Sequence, residues 1–124
     1  MDVGMEYEIL MLQLGSLARK LFNAEENLSK YQEALEKAIA NLEKENRDLE
    51  RLRNDSFSNT LLKLFGNFDR RYDKEYREII GAKVEFDKAY AMKIAAARRV
   101  KEVEADIEEK KLRLRNIKED VLRR

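Results

Sequence analysis

The chain has 124 residues, no Pro, Cys, His or Trp, a charged fraction of 41% and a net charge of +1. Without Cys there are no disulfides, thiolate nucleophiles or Cys-based zinc sites, and without His the commonest general base and the Glu-x-x-His pair of di-iron helical bundles are gone. A nearly balanced charge supplies no strong global field toward nucleic acid or a membrane. Abundant Leu, Ala, Glu, Lys and Arg with no Pro point instead to long helices.

From the N-terminus one series of positions steps by four and three: Val3, Tyr7, Leu10, Leu14, Leu17, Leu21, Ala24, Leu28, Tyr31, Leu35, Ala38, Leu42, Glu45, Leu49, Leu52. Only Glu45 is polar. A seven-residue apolar repeat sustained this far predicts a left-handed coiled-coil seam. The positions between are mostly Glu, Lys, Arg, Asn and Gln, as a solvated face requires. This first arm is expected over about residues 4–54.

Asn54, Asp55, Ser56, Ser58 and Asn59 then interrupt the pattern with residue types that favour caps and turns. The apolar piece from Thr60 to Phe65 ends at Gly66-Asn67, and Gly after the last periodic residue is a common helix stop. The tip, about residues 55–68, is expected to hold a short helix capped by Ser58 or Asn59. Its apolar residues Phe57, Leu61, Leu64, Phe65 and Phe68 recur on one face. So short a helix is marginal in water, so that face either folds over the end of the coiled coil or receives a partner.

A second series follows Asp69, a candidate N-cap: Tyr72, Glu75, Ile79, Ala82, Phe86, Ala89, Lys93, Ala96, Val100, Val103, Ile107, Lys110, Leu114, Ile117, Val121. The second arm is expected over about residues 69–124. Each arm would extend roughly 75 Å as helix, and two such arms joined by a short connection pack as antiparallel neighbours. Residues 1–54 carry 8 Lys/Arg against 11 Asp/Glu, a net of −3, and residues 77–124 carry 14 against 10, a net of +4. The arms therefore attract weakly.

Antiparallel pairing makes facing residue numbers sum to a constant. A sum of 124 sets Leu28 against Ala96, Leu35 against Ala89, Ala38 against Phe86 and Leu42 against Ala82, a large side chain opposite a small one each time. Tyr31 then faces Lys93. The rival sum of 131 sets Ala38 against Lys93 and Glu45 against Phe86. The fold expected is all-α: one long antiparallel two-helix coiled-coil hairpin spanning residues 1–124, with a short helix at its tip.

No Gly-rich phosphate loop, nucleophile–base pattern or metal-ligand spacing occurs. No catalytic, cofactor-binding or metal residues are expected, and no small-molecule substrate. Carboxylate pairs such as Glu25-Glu26 and Glu108-Glu109 read as solvated helix faces. Lys110, Lys111, Arg113, Arg115, Lys118, Arg123 and Arg124 are interrupted by Glu119 and Asp120 and complement the helix dipole, so nucleic acid is not an expected partner. A membrane partner is not expected either. No segment reaches the roughly 20 apolar residues of a membrane span. Asp2, Glu6 and Glu8 precede the apolar run Ile9–Leu12, unlike the basic start of a signal peptide, so a soluble cytoplasmic protein is expected.

Some apolar residues lie off the seam. Met5, Ile9 and Leu12 form one stripe, and Ile80 and Val84 suggest another. A hairpin alone leaves such stripes in water, which points to a protein partner or to self-association into a dimeric four-helix assembly. The stretch Ser56–Asn67, followed by Asp73-Lys74-Glu75-Tyr76 and the Ala-Lys-x-x-x-Asp-x-Ala segment at 82–89, resembles the tip of uncharacterised bacterial coiled-coil proteins. That resemblance implies a helical hairpin and carries over no activity. The function expected is that of a non-catalytic structural or adaptor coiled coil mediating protein–protein interaction. The alternative is a hairpin associated with a membrane surface or with nucleic acid.

Overall fold

The computed structural model describes residues 2–54 and 68–123, with side-chain surroundings for residues 2–48 and 74–123. It is all-helical over that range. Helix α1 runs Val3–Asn54 and helix α2 runs Phe68–Arg123, and the two pack against each other as a hairpin. Asp2 starts α1: its Oδ1 accepts the Gly4 N–H at 3.3 Å and its carbonyl accepts the Glu6 N–H at 3.0 Å. A side-chain oxygen just ahead of a helix satisfies an otherwise orphaned first-turn donor. Glu6 in the first turn of α1 and Arg123 in the last turn of α2 complement the helix dipoles. Because α2 is already helical at Phe68, Asp69 lies inside the helix rather than capping it.

The chain divides into two compact units, Met1–Lys30 with Ile94–Arg124, and Tyr31–Lys93. In the first unit the buried side chains are Leu10, Leu17 and Ala24 from α1 and Ala96, Val100 and Val103 from α2, Val103 being almost wholly enclosed. Leu14, Leu21, Leu28, Ile107, Leu114 and Ile117 are half-buried between them. All belong to the two seven-residue series. Lys110 is half-buried as well, its stem covering apolar surface while its ammonium stays near Glu109 at 4.0 Å. Val3 and Tyr7 share a groove with Ile117 and Val121, the partners expected when facing numbers sum to 124. At this end the seam loosens. Tyr7 and Val121 are 36% and 52% exposed.

In the second unit Leu35 and Ala82 are buried, and Tyr31, Ala38, Leu42, Ile79, Phe86 and Ala89 are half-buried. The polar seam residues Glu45, Glu75 and Lys93 are half-buried in the same series. Tyr31, Ala34 and Ala38 line one groove with Ala89 and Met92, and Glu45 meets Glu78. Both neighbourhoods fit the sum of 124. The rival register, which would carry Glu45 up to Phe86, does not occur. Phe86 instead stacks on Tyr90, with centroids 6.1 Å apart and ring planes 17° from parallel, and the Lys83 ammonium lies 4.8 Å from the Phe86 centroid. The outer edges of Tyr90 and Ile39 remain in water.

Ion pairs such as Lys83–Asp87 at 3.0 Å and Arg113–Glu109 at 3.1 Å run along the surface of α2, four residues apart. Exposed pairs of this kind contribute a few tenths of a kcal/mol each, so stability rests on the seam. Leu35→Ala should therefore cost about 2–4 kcal/mol in chemical denaturation, while Glu36→Ala, on the exposed face, should cost close to nothing. Equal costs would reject the seam. Gly81 is helical, and a Cβ built there meets nothing within 4 Å. Gly81→Ala should raise stability by about 0.5–1 kcal/mol, since a helix-interior glycine loses more backbone entropy than alanine. A lowered midpoint would show that this face is not open.

Candidate interaction surfaces

The first unit leaves a broad apolar surface in water. Met5, Ile9 and Leu12 follow each other by four and three along α1, so they share a face, and each is exposed, Leu12 to 75%. On another face, Val3, Gly4, Tyr7 and Glu8 of α1 and Ile117, Lys118, Val121 and Leu122 of α2 line an open groove of about 730 Å³. Six of these eight residues are apolar or Gly. Val3, Tyr7 and Val121, seam residues near the ends of α1 and α2, form much of its floor. A second row on α1, Gly4, Glu8, Met11, Gly15, Ala18 and Phe22, also alternates steps of four and three and is exposed throughout. Sequence periodicity pointed to Met5, Ile9 and Leu12 but not to this groove, half of whose lining is seam residues assigned to the interior. The available signal was that the seam positions nearest a helix end are covered on one side only.

The basic residues toward the end of α2 do not form a free positive face. Lys111 pairs with Glu108 at 3.8 Å, Lys110 and Arg113 both approach Glu109, and a neighbouring polar hollow mixes Arg113 and Arg123 with Glu6, Glu119 and Asp120. A phosphate-tracking surface needs basic side chains without such acidic neighbours. No described helix is long and apolar enough to cross a membrane.

In the second unit Ile80 and Val84 are 61% and 57% exposed, one turn apart on α2, as the sequence suggested. Of the tip residues, Phe57, Leu61, Leu64 and Phe65 lie outside the described residues, and Phe68 is placed only as the first residue of α2.

The second unit also gathers carboxylates inside its seam. One oxygen each of Glu45, Asp48 and Glu75 lie within 4.8 Å of one another, and Glu78 is in hydrogen-bonding reach of Glu45. The heptad pattern places Glu45 and Glu75 on the seam, and the register brings them to the same level. The Oε2 atoms of Glu45 and Glu75 are enclosed and have no hydrogen-bond partner. Desolvation raises the Glu45 pKa above the ordinary carboxylate value. The hydrogen bond and the charge of Glu78 raise it further, Asp48 adds to this, and Lys44 opposes it. Lys74 pairs with Glu78 at 3.8 Å from the solvent side. Sequence inspection marked Glu45 and Glu75 as polar exceptions but did not join them to Asp48 and Glu78, since that needs the cross-helix register.

No family model, curated protein or solved structure matches this chain.

A carboxyl group whose folded-state pKa is raised stabilises the fold when protonated, and that contribution is lost as pH rises through the folded value. Acidification from neutral pH toward the ordinary carboxylate range should therefore favour the second unit through Glu45. Glu45→Gln, which keeps the shape without the charge, should raise the melting temperature at pH 7 and shrink the difference between pH 7 and pH 5. A Gln variant less stable than the parent at pH 7 would show that the carboxylate is stabilised where it sits.

Proposed function

We propose that this chain is a non-catalytic structural or adaptor coiled coil that acts by binding protein through the apolar surface of its first unit. The observation that carries this reading is the exposure of Met5, Ile9 and Leu12 on one face of α1, in the unit that also holds the groove of Val3, Tyr7, Ile117, Val121 and Leu122. Apolar side chains at i, i+4 and i+7 are the anchors an amphipathic helix lays into a hydrophobic groove, so the surface that fits this stripe is an apolar groove on the partner. The seam beneath supplies a rigid platform, because Leu10, Leu17 and Val103 hold the two helices together whether or not the outer face is occupied. A face of this kind is costly to leave in water once it grows beyond scattered single residues.

The test is a comparison of the full chain with its Ile9→Asp and Leu12→Asp variants. Because both side chains are outside the seam, helix content by circular dichroism and the melting temperature should stay within a few degrees of the parent. Affinity purification from the native cell should then show proteins retained by the parent and lost from both variants. An identical set of co-purifying proteins would remove the outer face as the binding surface.

A further inference from the structure

We infer that a second copy of this chain covers the groove at the ends of α1 and α2, the two copies being related by a two-fold axis that sets Glu8 of each against the partner's Lys118. This rests on the reading of the first unit as a protein-binding surface and names its occupant. The groove holds two charged residues, Glu8 from α1 and Lys118 from α2, on either side of an apolar floor. Both are exposed, and neither makes an ion pair with another described residue. A patch with an acid on one flank and a base on the other becomes complementary to itself after a half-turn, as an isologous interface requires. A partner surface of one sign would meet a like charge on one flank.

The pairing also engages Leu122, which forms part of the groove wall and is 85% exposed. In the pair Leu122 reaches the partner's groove floor, with Met11, one turn along α1 from Glu8, extending the apolar contact. The footprint is confined to the last few turns of each helix, so the association belongs to the weak class of small interfaces, with a micromolar dissociation constant.

Sedimentation velocity on the full chain, run from about 1 to 200 µM at low salt, tests this. The parent should shift from monomer to dimer across that range. Glu8→Lys and Lys118→Glu should each weaken dimerisation about tenfold, because two symmetry-related attractions turn into repulsions. The double variant Glu8→Lys/Lys118→Glu should return to within about threefold of the parent, because each pair is restored with its signs exchanged. Leu122→Glu, at a position with no role in the seam, should abolish the dimer while leaving the helix signal intact. A parent that sediments as a 14.7 kDa monomer throughout overturns the inference. So does a double variant no better than the singles, or single variants that lower the melting temperature without moving the dissociation constant, which would mean the pair forms within one chain. Partner capture lost in Leu12→Asp from a strictly monomeric parent would remove the second copy while leaving the broader protein-binding function standing.

Discussion

The structure depends on one packing interaction: the two described helices bury their apolar seam residues against each other. Large faces small at several levels of the seam in this register, Leu28 opposite Ala96, Leu35 opposite Ala89 and Leu42 opposite Ala82, while near the helix ends Leu17 faces Ile107 and Leu10 faces Leu114. The register in turn decides which polar and apolar residues become neighbours. Burial follows the same logic, with Leu10, Leu17, Ala24, Val100 and Val103 enclosed in the first unit and Leu35 and Ala82 in the second.

The polar members of the seam differ in what they cost. Lys93 and Lys110 have long stems that cover apolar surface while the charge stays wet. Glu45 and Glu75 have short stems, and their enclosed oxygens lack hydrogen-bond partners. Reduced access to water, and then the hydrogen bond and charge of Glu78, disfavour ionisation, which is why the Glu45 pKa rises. A polar residue at a seam position commonly sacrifices stability for specificity of register. Here both carboxylates belong to the second unit, and Glu45 is the one whose ionisation its surroundings disfavour.

The two units also differ in what they leave outside. Among the described residues the first exposes Met5, Ile9, Met11, Leu12, Phe22 and Leu122. The second exposes Ile80 and Val84 as a shorter stripe. On α2, the pairing of Lys110, Lys111 and Arg113 with Glu108 and Glu109 spends basic charge locally along the helix.

Much of this was legible in the amino-acid order alone. A seven-residue apolar repeat interrupted once, with no Pro anywhere, determines two long helices and the face each turns inward, because helical spacing is a local property of the backbone. The extent of α1 and the exposure of Met5, Ile9, Leu12, Ile80 and Val84 follow from the same periodicity. Side-chain size went further and favoured one register over its rival, since steric fit depends on volumes that the sequence states. Other features needed the two helices placed side by side. The start of α2 ahead of Asp69 was one, because several residues near a turn are chemically suited to cap. The meeting of Glu45 and Asp48 with Glu75 and Glu78 was another, since residues some thirty positions apart in the chain become neighbours only at one level of the pair. The groove walled by Val3, Tyr7, Val121 and Leu122 was the last. A heptad pattern assigns a residue to the seam without saying whether the facing helix extends far enough to cover it, and that coverage is a property of the paired ends, which only the tertiary structure decides.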